Sequence, residues 1–288
     1  MVATEVHQSN KIATEISRQS QRKIFPSKES IVGEKQPLTF IEFLNFSIEK
    51  LEEEIGLKAL PMNPEFSVKH SINPAKKGKI VNLNFKADGI RRIRMTYFDG
   101  GSAVQVFNMV AYPEYNTDAP IFGADLISFG QKNLAGIDFQ PLYPNIEYSD
   151  KYINRLKPIK NKYPELSQSM SAKFYDSAKF FSENMLFCRF ENKELIEGKL
   201  FPAFKEYINA YISLVKSVRK FEHINFRKSV QNRHIAYDQY NAERDPAHGM
   251  FVQYFGNEWA ENFIDKFLFE QSVRPENGYP KQPHKKPE

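Results

Sequence analysis

Five stretches of alternating apolar and polar residues lie between positions 81 and 139, and the short connections between them constrain the fold more than any other feature of the chain. Val81, Leu83 and Phe85 alternate with Asn82 and Asn84; after Asp88-Gly89, Ile93, Met95 and Tyr97 alternate with Arg92, Arg94 and Thr96. Asp99-Gly100-Gly101 leads into a third run, Ala103 to Val110, and Ile121–Phe129 and Leu134–Phe139 follow. Parallel strands need crossover connections of about a dozen residues or more, so this spacing predicts an antiparallel meander.

Helical periodicity stands on either side of the strands. Phe40, Phe43, Leu44, Ile48, Leu51 and Ile55 recur at three- and four-residue spacing, and Gly56 follows as a C-terminal cap. From about residue 170 onward, Phe174–Phe190, Leu195–Phe221 and Glu258–Phe269 carry the same period. Strands flanked by helices predict an α/β protein, a three-layer α/β/α sandwich with a central antiparallel β-sheet. Residues 1–37 are rich in Ser, Gln and Lys, and residues 271–288 carry Pro275, Pro280, Pro283 and Pro287. Both ends read as loosely ordered extensions around one domain over residues 38–270.

Composition removes several classes of chemistry. Cys188 is the single cysteine, which excludes an internal disulfide, a CxxC pair, a four-thiolate zinc site and a protein-held iron–sulfur cluster. Its surroundings, Met185-Leu186-Phe187-Cys188, indicate a buried thiol. The chain has no GxGxxG after a strand, no GxxxxGK[ST], no GxSxG and no HExxH, and its six histidines are dispersed. No bound cofactor or metal is therefore expected. No apolar run approaches the roughly 20 residues of a membrane-spanning helix. The net charge of +5 comes mostly from the two ends, and the middle carries only +1, which argues against a nucleic-acid partner.

Two polar residues interrupt the strands. Alternation places Asn108 on the face shared by Val104, Val106 and Val110, and Asp125 on the face shared by Ile121 and Ile127. A carboxylate on such a face is costly unless paired, protonated or used; burial raises its proton affinity and suits it to donate a proton. A third element is Ala242-Glu243-Arg244-Asp245-Pro246-Ala247-His248-Gly249, where Asp245 reads as an N-cap ahead of Pro246 at the first helical position.

The combination resembles the ferredoxin-dependent bilin reductases over roughly residues 38–270. Three blocks carry the resemblance: Asn108-Met109-Val110-Ala111-Tyr112-Pro113; Asp118-Ala119-Pro120-Ile121-Phe122-Gly123-Ala124-Asp125-Leu126 with Asp138-Phe139-Gln140-Pro141; and Ala242 to Phe251 before Phe255-Gly256. The resemblance implies an open-chain tetrapyrrole between the sheet and the C-terminal helices, reduced by electrons from ferredoxin without a protein-bound cofactor. It implies that Asp125, from the central strand, and Asp245, from the helical side, are the catalytic proton donors. It places Asn108 against the substrate, where the phycocyanobilin-forming branch has histidine. The substrate propionates need cations, and Arg244 is a candidate for them.

Ser128-Phe129-Gly130-Gln131-Lys132-Asn133-Leu134 looks most like the branch that reduces biliverdin IXα to 15,16-dihydrobiliverdin. Members that form phycoerythrobilin or phycourobilin, or that take 15,16-dihydrobiliverdin as substrate, and a non-catalytic bilin carrier remain alternatives. The expected partners are ferredoxin, the bilin and a downstream bilin reductase. Arg91/Arg92/Arg94 and Lys216/Arg219/Lys220 are candidate docking clusters for an acidic ferredoxin. A plastid stroma and a cyanobacterial cytoplasm both fit.

Overall fold

The computed structural model describes residue 32 and residues 37–169 and 179–274. Most of the expected N-terminal extension, residues 170–178 of the expected Phe174–Phe190 helix and its approach, and residues 275–288 lie outside the described residues.

The alternating segments pair as expected. Among the described residues, eight strands form one antiparallel sheet: β1 (Lys58–Ala59), β2 (Val68–His70), β3 (Lys79–Ala87), β4 (Ile90–Asp99), β5 (Gln105–Pro113), β6 (Ile121–Phe129), β7 (Lys132–Gln140) and β8 (Leu186–Phe190). The order is β1-β3-β4-β5-β6-β7-β8, and β2 also pairs with β3. Gly89 and Gly130 turn the β3–β4 and β6–β7 hairpins at φ 75° and 61°, a region open to glycine because it has no Cβ.

Helices cover both faces, because β4 to β7 carry side chains buried on both sides. On one face lie α1 (Ile41–Ile55) and α2 (Phe201–Ser217). Phe204 of α2 meets Phe43 at 5.1 Å, Phe107 at 6.1 Å and Phe122 at 6.4 Å between ring centroids. α1 ends as the sequence indicates, with the Gly56 N–H donating to the Glu52 carbonyl. α2 stops short of the expected Phe221 because Val218 is extended, with ψ 140°. The other face carries α3 (Ile224–Ala242), α4 (His248–Phe255) and α5 (Asn257–Phe263), which continues as one π-helical segment, Ile264–Leu268.

One expectation is corrected, and one helix was not expected. Residues 186–190 of the expected Phe174–Phe190 helix form β8, where Cys188 faces the core opposite Ala135. α3 escapes an apolar search because its buried face is largely polar: Val230, His234, Tyr237, Asp238 and Ala242. Tyr112 donates to Asp238 at 2.8 Å, the Gln271 N–H donates at 3.0 Å, and Arg91 Nε donates to His234 Nδ1 at 3.3 Å. Hydrogen bonds thus hold α3 where apolar packing usually would.

Candidate active site between the sheet and the C-terminal helices

Strand register brings the polar residues of the meander into two neighbouring rows. In one, Thr96, Asn108, Asp125 and Gly136 are successive cross-strand partners; in the other, Arg94, Val110, Gly123 and Asp138 are. The two glycines withhold side chains from the floor between these rows. Above it opens a cavity of about 290 Å³, lined on the sheet side by both rows and on the helical side by Tyr237, Asn241, Arg244, Asp245, Met250 and Phe251. Phe98, Phe181, Phe269 and Leu268 make much of the remaining wall apolar.

Asn108 and Asp125 stand opposite each other in the register, and the Asn108 Nδ2 donates to Asp125 Oδ1 at 3.0 Å. Arg94 Nη1 donates to Asn108 Oδ1 at 2.6 Å, and its guanidinium lies 5.2 Å from the Phe269 ring centroid. Asp125 is half-buried and opens onto the cavity. Burial pushes its carboxyl up from the ordinary 3.8, against the Asn108 hydrogen bond and the Arg94 charge.

Asp245 reaches the same cavity from the helical side. Its expected role as N-cap to a helix starting at Pro246 is corrected: α4 begins at His248, and Asp245 Oδ1 accepts the Ala247 N–H at 2.8 Å in a tight turn. Proline stays in that turn rather than opening the helix. Burial pushes Asp245 up to about 6, the Ala247 N–H and Arg94 act against this, and the neighbouring Asp125 charge adds to it. The two carboxyls therefore sense each other across the cavity. Arg244 lines the wall, its guanidinium 4.3 Å from the Tyr240 ring centroid and its Nη1 donating to Glu243 Oε2 at 3.1 Å.

The remaining cationic cluster on β4 is also corrected. Arg91, Arg92 and Arg94 do not form a docking patch, because β4 is covered on both faces: Arg92 and Arg94 are buried and Arg91 is half-buried. Arg91 pairs with Glu270 at 3.2 Å, and Arg92 donates to the Phe267 carbonyl at 2.5 Å and to Asn84 at 3.1 Å. Arg94 is 2% exposed and belongs to the cavity. Lys216 pairs with Glu54 at 2.5 Å, while Arg219 and Lys220 are exposed.

Sequence reasoning missed Arg94, Asp138, Gln140 and Tyr237 as cavity residues. Asp138 accepts the Ser182 N–H at 2.7 Å and the Ser182 hydroxyl, and burial pushes it up to about 7. Tyr237 donates to Gln140 Oε1 at 2.5 Å. For the three strand residues the signal was period-two alternation: Arg94 and Thr96, like Asp138 and Gln140, put polar groups on one face of otherwise apolar strands; Tyr237, on α3, had none. The arrangement suits a flat apolar molecule that accepts protons from carboxyls on either side. Among the described residues, no group of three metal-ligating side chains accompanies it, and no helix is long and apolar enough to cross a membrane.

The comparisons with known proteins agree with this geometry. The ferredoxin-dependent bilin reductase family matches residues 45–270. A 15,16-dihydrobiliverdin:ferredoxin oxidoreductase of Nostoc punctiforme is 38% identical over 232 residues, 80% of this chain and 95% of the relative. One of the same name from Gloeobacter violaceus is 36% identical over 239 residues, 83% of this chain and 98% of the relative. The crystal structure of phytochromobilin synthase from tomato in complex with biliverdin superposes with a TM-score of 0.73 at 26% identity, covering 81% of this chain and 83% of that one. The match to the family and the identity to its members over most of their length establish that this chain belongs to the ferredoxin-dependent bilin reductases.

Proposed function

We propose that this chain reduces biliverdin IXα at the 15,16 methine bridge to 15,16-dihydrobiliverdin. Two electrons come one at a time from reduced ferredoxin and two protons from the pocket. The observation that carries the reading is the placement of Asp125 and Asp245 on the sheet side and the helical side of one apolar cavity. The names of the cyanobacterial relatives support the choice of product.

Each electron makes the conjugated tetrapyrrole more basic, so a proton donor whose affinity lies near neutrality can follow it. Desolvation pushes Asp245 up to about 6, which meets that condition, and pushes Asp125 in the same direction. Apolar walls exclude water that would otherwise protonate the reduced pigment elsewhere. Arg244 at the wall and Asn108 on the floor then orient the substrate. Exposed Arg219 and Lys220 offer an acidic ferredoxin an electrostatic landing place.

The test is anaerobic turnover of biliverdin IXα with ferredoxin, ferredoxin reductase and NADPH, with products separated chromatographically. A blue-shifted pigment identified as 15,16-dihydrobiliverdin supports the proposal. Phycoerythrobilin or phycourobilin as product, turnover of 15,16-dihydrobiliverdin alone, or stoichiometric binding without turnover each refutes it. Asp125→Asn should keep the bilin bound while slowing reduction by about 10²-fold or more, the usual worth of a positioned acid. Unchanged turnover removes Asp125 from the donor role.

A further inference from the structure

Buried Arg94 meets the substrate cavity without being one of its proton donors, and the chemistry of its partner shows what it does. An asparagine side chain can present either its oxygen or its amide nitrogen to a neighbour, and the two orientations differ by a flip of the amide. At Asn108 the neighbours on the two sides are unlike. Arg94 can only donate, because a guanidinium carries N–H groups and no acceptor. Its Nη1 lies 2.6 Å from Asn108 Oδ1, so this oxygen must face it, and Nδ2 is left facing Asp125 Oδ1 at 3.0 Å.

The strand register makes the contact diagonal: Asn108 pairs directly with Thr96, and Arg94 pairs with Val110, so the guanidinium reaches from its own row to the amide in the neighbouring one. Burial and the Phe269 ring beneath the guanidinium hold it there.

We infer that Arg94 is a positioning residue for bilin reduction: it fixes the Asn108 amide so that Asp125 Oδ1 is occupied as an acceptor, and the transferable proton of Asp125 is carried on Oδ2. This rests on the reading of Asp125 as a proton donor. A proton on Oδ1 would set two hydrogens against each other along the Asn108 contact. With Oδ1 held, the donor oxygen is the same in every molecule, and the site from which the bilin receives its proton is fixed. The charged groups lining the same cavity are Arg94 from β4, Asp138 from β7, Arg189 from β8, and Arg244 and Asp245 beyond α3. Among them, Arg94 is the one that contacts the Asn108 amide.

The experiment is a spectrophotometric pH titration of the biliverdin complex without reductant, followed by single turnover. It compares wild type with Arg94→Lys, Arg94→Gln, Asn108→Leu, the Arg94→Gln/Asn108→Leu double variant and Asp125→Asn. Arg94→Gln removes both the charge and the donor-only neighbour. Its titration is expected to move upward by about one pH unit, the lower end of what a nearby opposite charge does to a carboxyl. Single turnover should slow by about tenfold or more, with the affinity for biliverdin changed by less than about threefold. Asn108→Leu moves the titration the same way, whereas Arg94→Lys, which keeps a cationic donor, leaves it close to the wild-type position. The double variant moves less than the sum of the single ones, because part of the Arg94 effect runs through the amide.

An unmoved titration in Arg94→Gln with only a lowered melting temperature overturns the inference, as do strictly additive shifts. Should Arg94→Gln fail to fold, Asn108→Leu and Arg94→Lys decide: an unshifted Asn108→Leu titration overturns it as well. A titration abolished in Asp125→Asn but unmoved in the Arg94 and Asn108 variants defeats this inference alone. A titration unchanged in Asp125→Asn defeats the donor reading and this inference together.

Discussion

Glycine in the middle of a strand normally weakens it, by roughly 0.5–1 kcal/mol relative to alanine, so Gly123→Ala on β6 would ordinarily be expected to stabilise the protein. The surroundings of Gly123 reverse that sign. A Cβ built there lies 2.7 Å from each of Cδ, Nε2 and Oε1 of Gln140. Carbon atoms in good contact stay about 3.5–4.0 Å apart, so the Gln140 amide must retreat by roughly 1 Å. That amide accepts the Tyr237 hydroxyl at 2.5 Å, and Tyr237 is buried.

Overpacking costs roughly 1–3 kcal/mol, and a buried hydroxyl left without a partner costs roughly 1–3 kcal/mol more. Set against the strand gain, the net is a loss of roughly 1–5 kcal/mol. At roughly 2–4 °C per kcal/mol for a chain of this size, a loss of about 3 kcal/mol lowers the Tm by about 6–12 °C. Thermal unfolding followed by circular dichroism measures this directly. Gln140→Ala removes both the obstructing amide and the acceptor, so Gly123→Ala should cost little or nothing further in that background. A Tm unchanged or raised in the single variant, or equal losses in both backgrounds, refutes the reasoning.

Ser182→Ala removes the hydroxyl donated to Asp138, whose carboxyl is raised from 3.8 to about 7. A carboxyl raised on folding contributes stability that is fully present below its unfolded value and is lost as pH rises through its folded one. Without that donor the folded value moves higher still, so urea unfolding should show a loss of about 1.5–3 kcal/mol at pH 8 and a smaller one at pH 5.5; equal losses exclude an ionised Asp138 as acceptor. Cys188 is buried and its thiol is pushed up to about 12. A thiol-alkylating reagent at pH 8 should therefore leave the native protein unlabelled and label it once denaturant is added, and rapid native labelling would show that β8 opens readily.

The strand meander and the helical flank of the chain were legible because each is a local repeat. A residue two positions along a strand returns to the same face whatever lies above it, so Asn108 and Asp125 could be placed beside their apolar neighbours before any tertiary contact was known. Two of the three family blocks lay in those strands, and the third, Ala242 to Phe251, lay on the helical side. α3 was not legible, because the groups that satisfy His234 and Asp238 come from Arg91, Tyr112 and Gln271, which are distant in sequence. β8 was missed for a related reason: its five residues read equally well as a buried helix turn, and only pairing with β7 makes them a strand.

By itself, then, the order of residues determined an antiparallel sheet with helices to cover it, a pair of polar residues on one inner face, and membership of a bilin-reducing family. Tertiary structure decided which polar groups meet. It turned Arg94 from a surface charge into the partner of Asn108, put Asp245 in a turn across the cavity from Asp125, and set Gly123 and Gly136 beside them to leave room. Alternation is a property of one strand's backbone, whereas the neighbour of a side chain is a property of register and of the layer that covers it. Those depend on contacts between segments far apart in the chain.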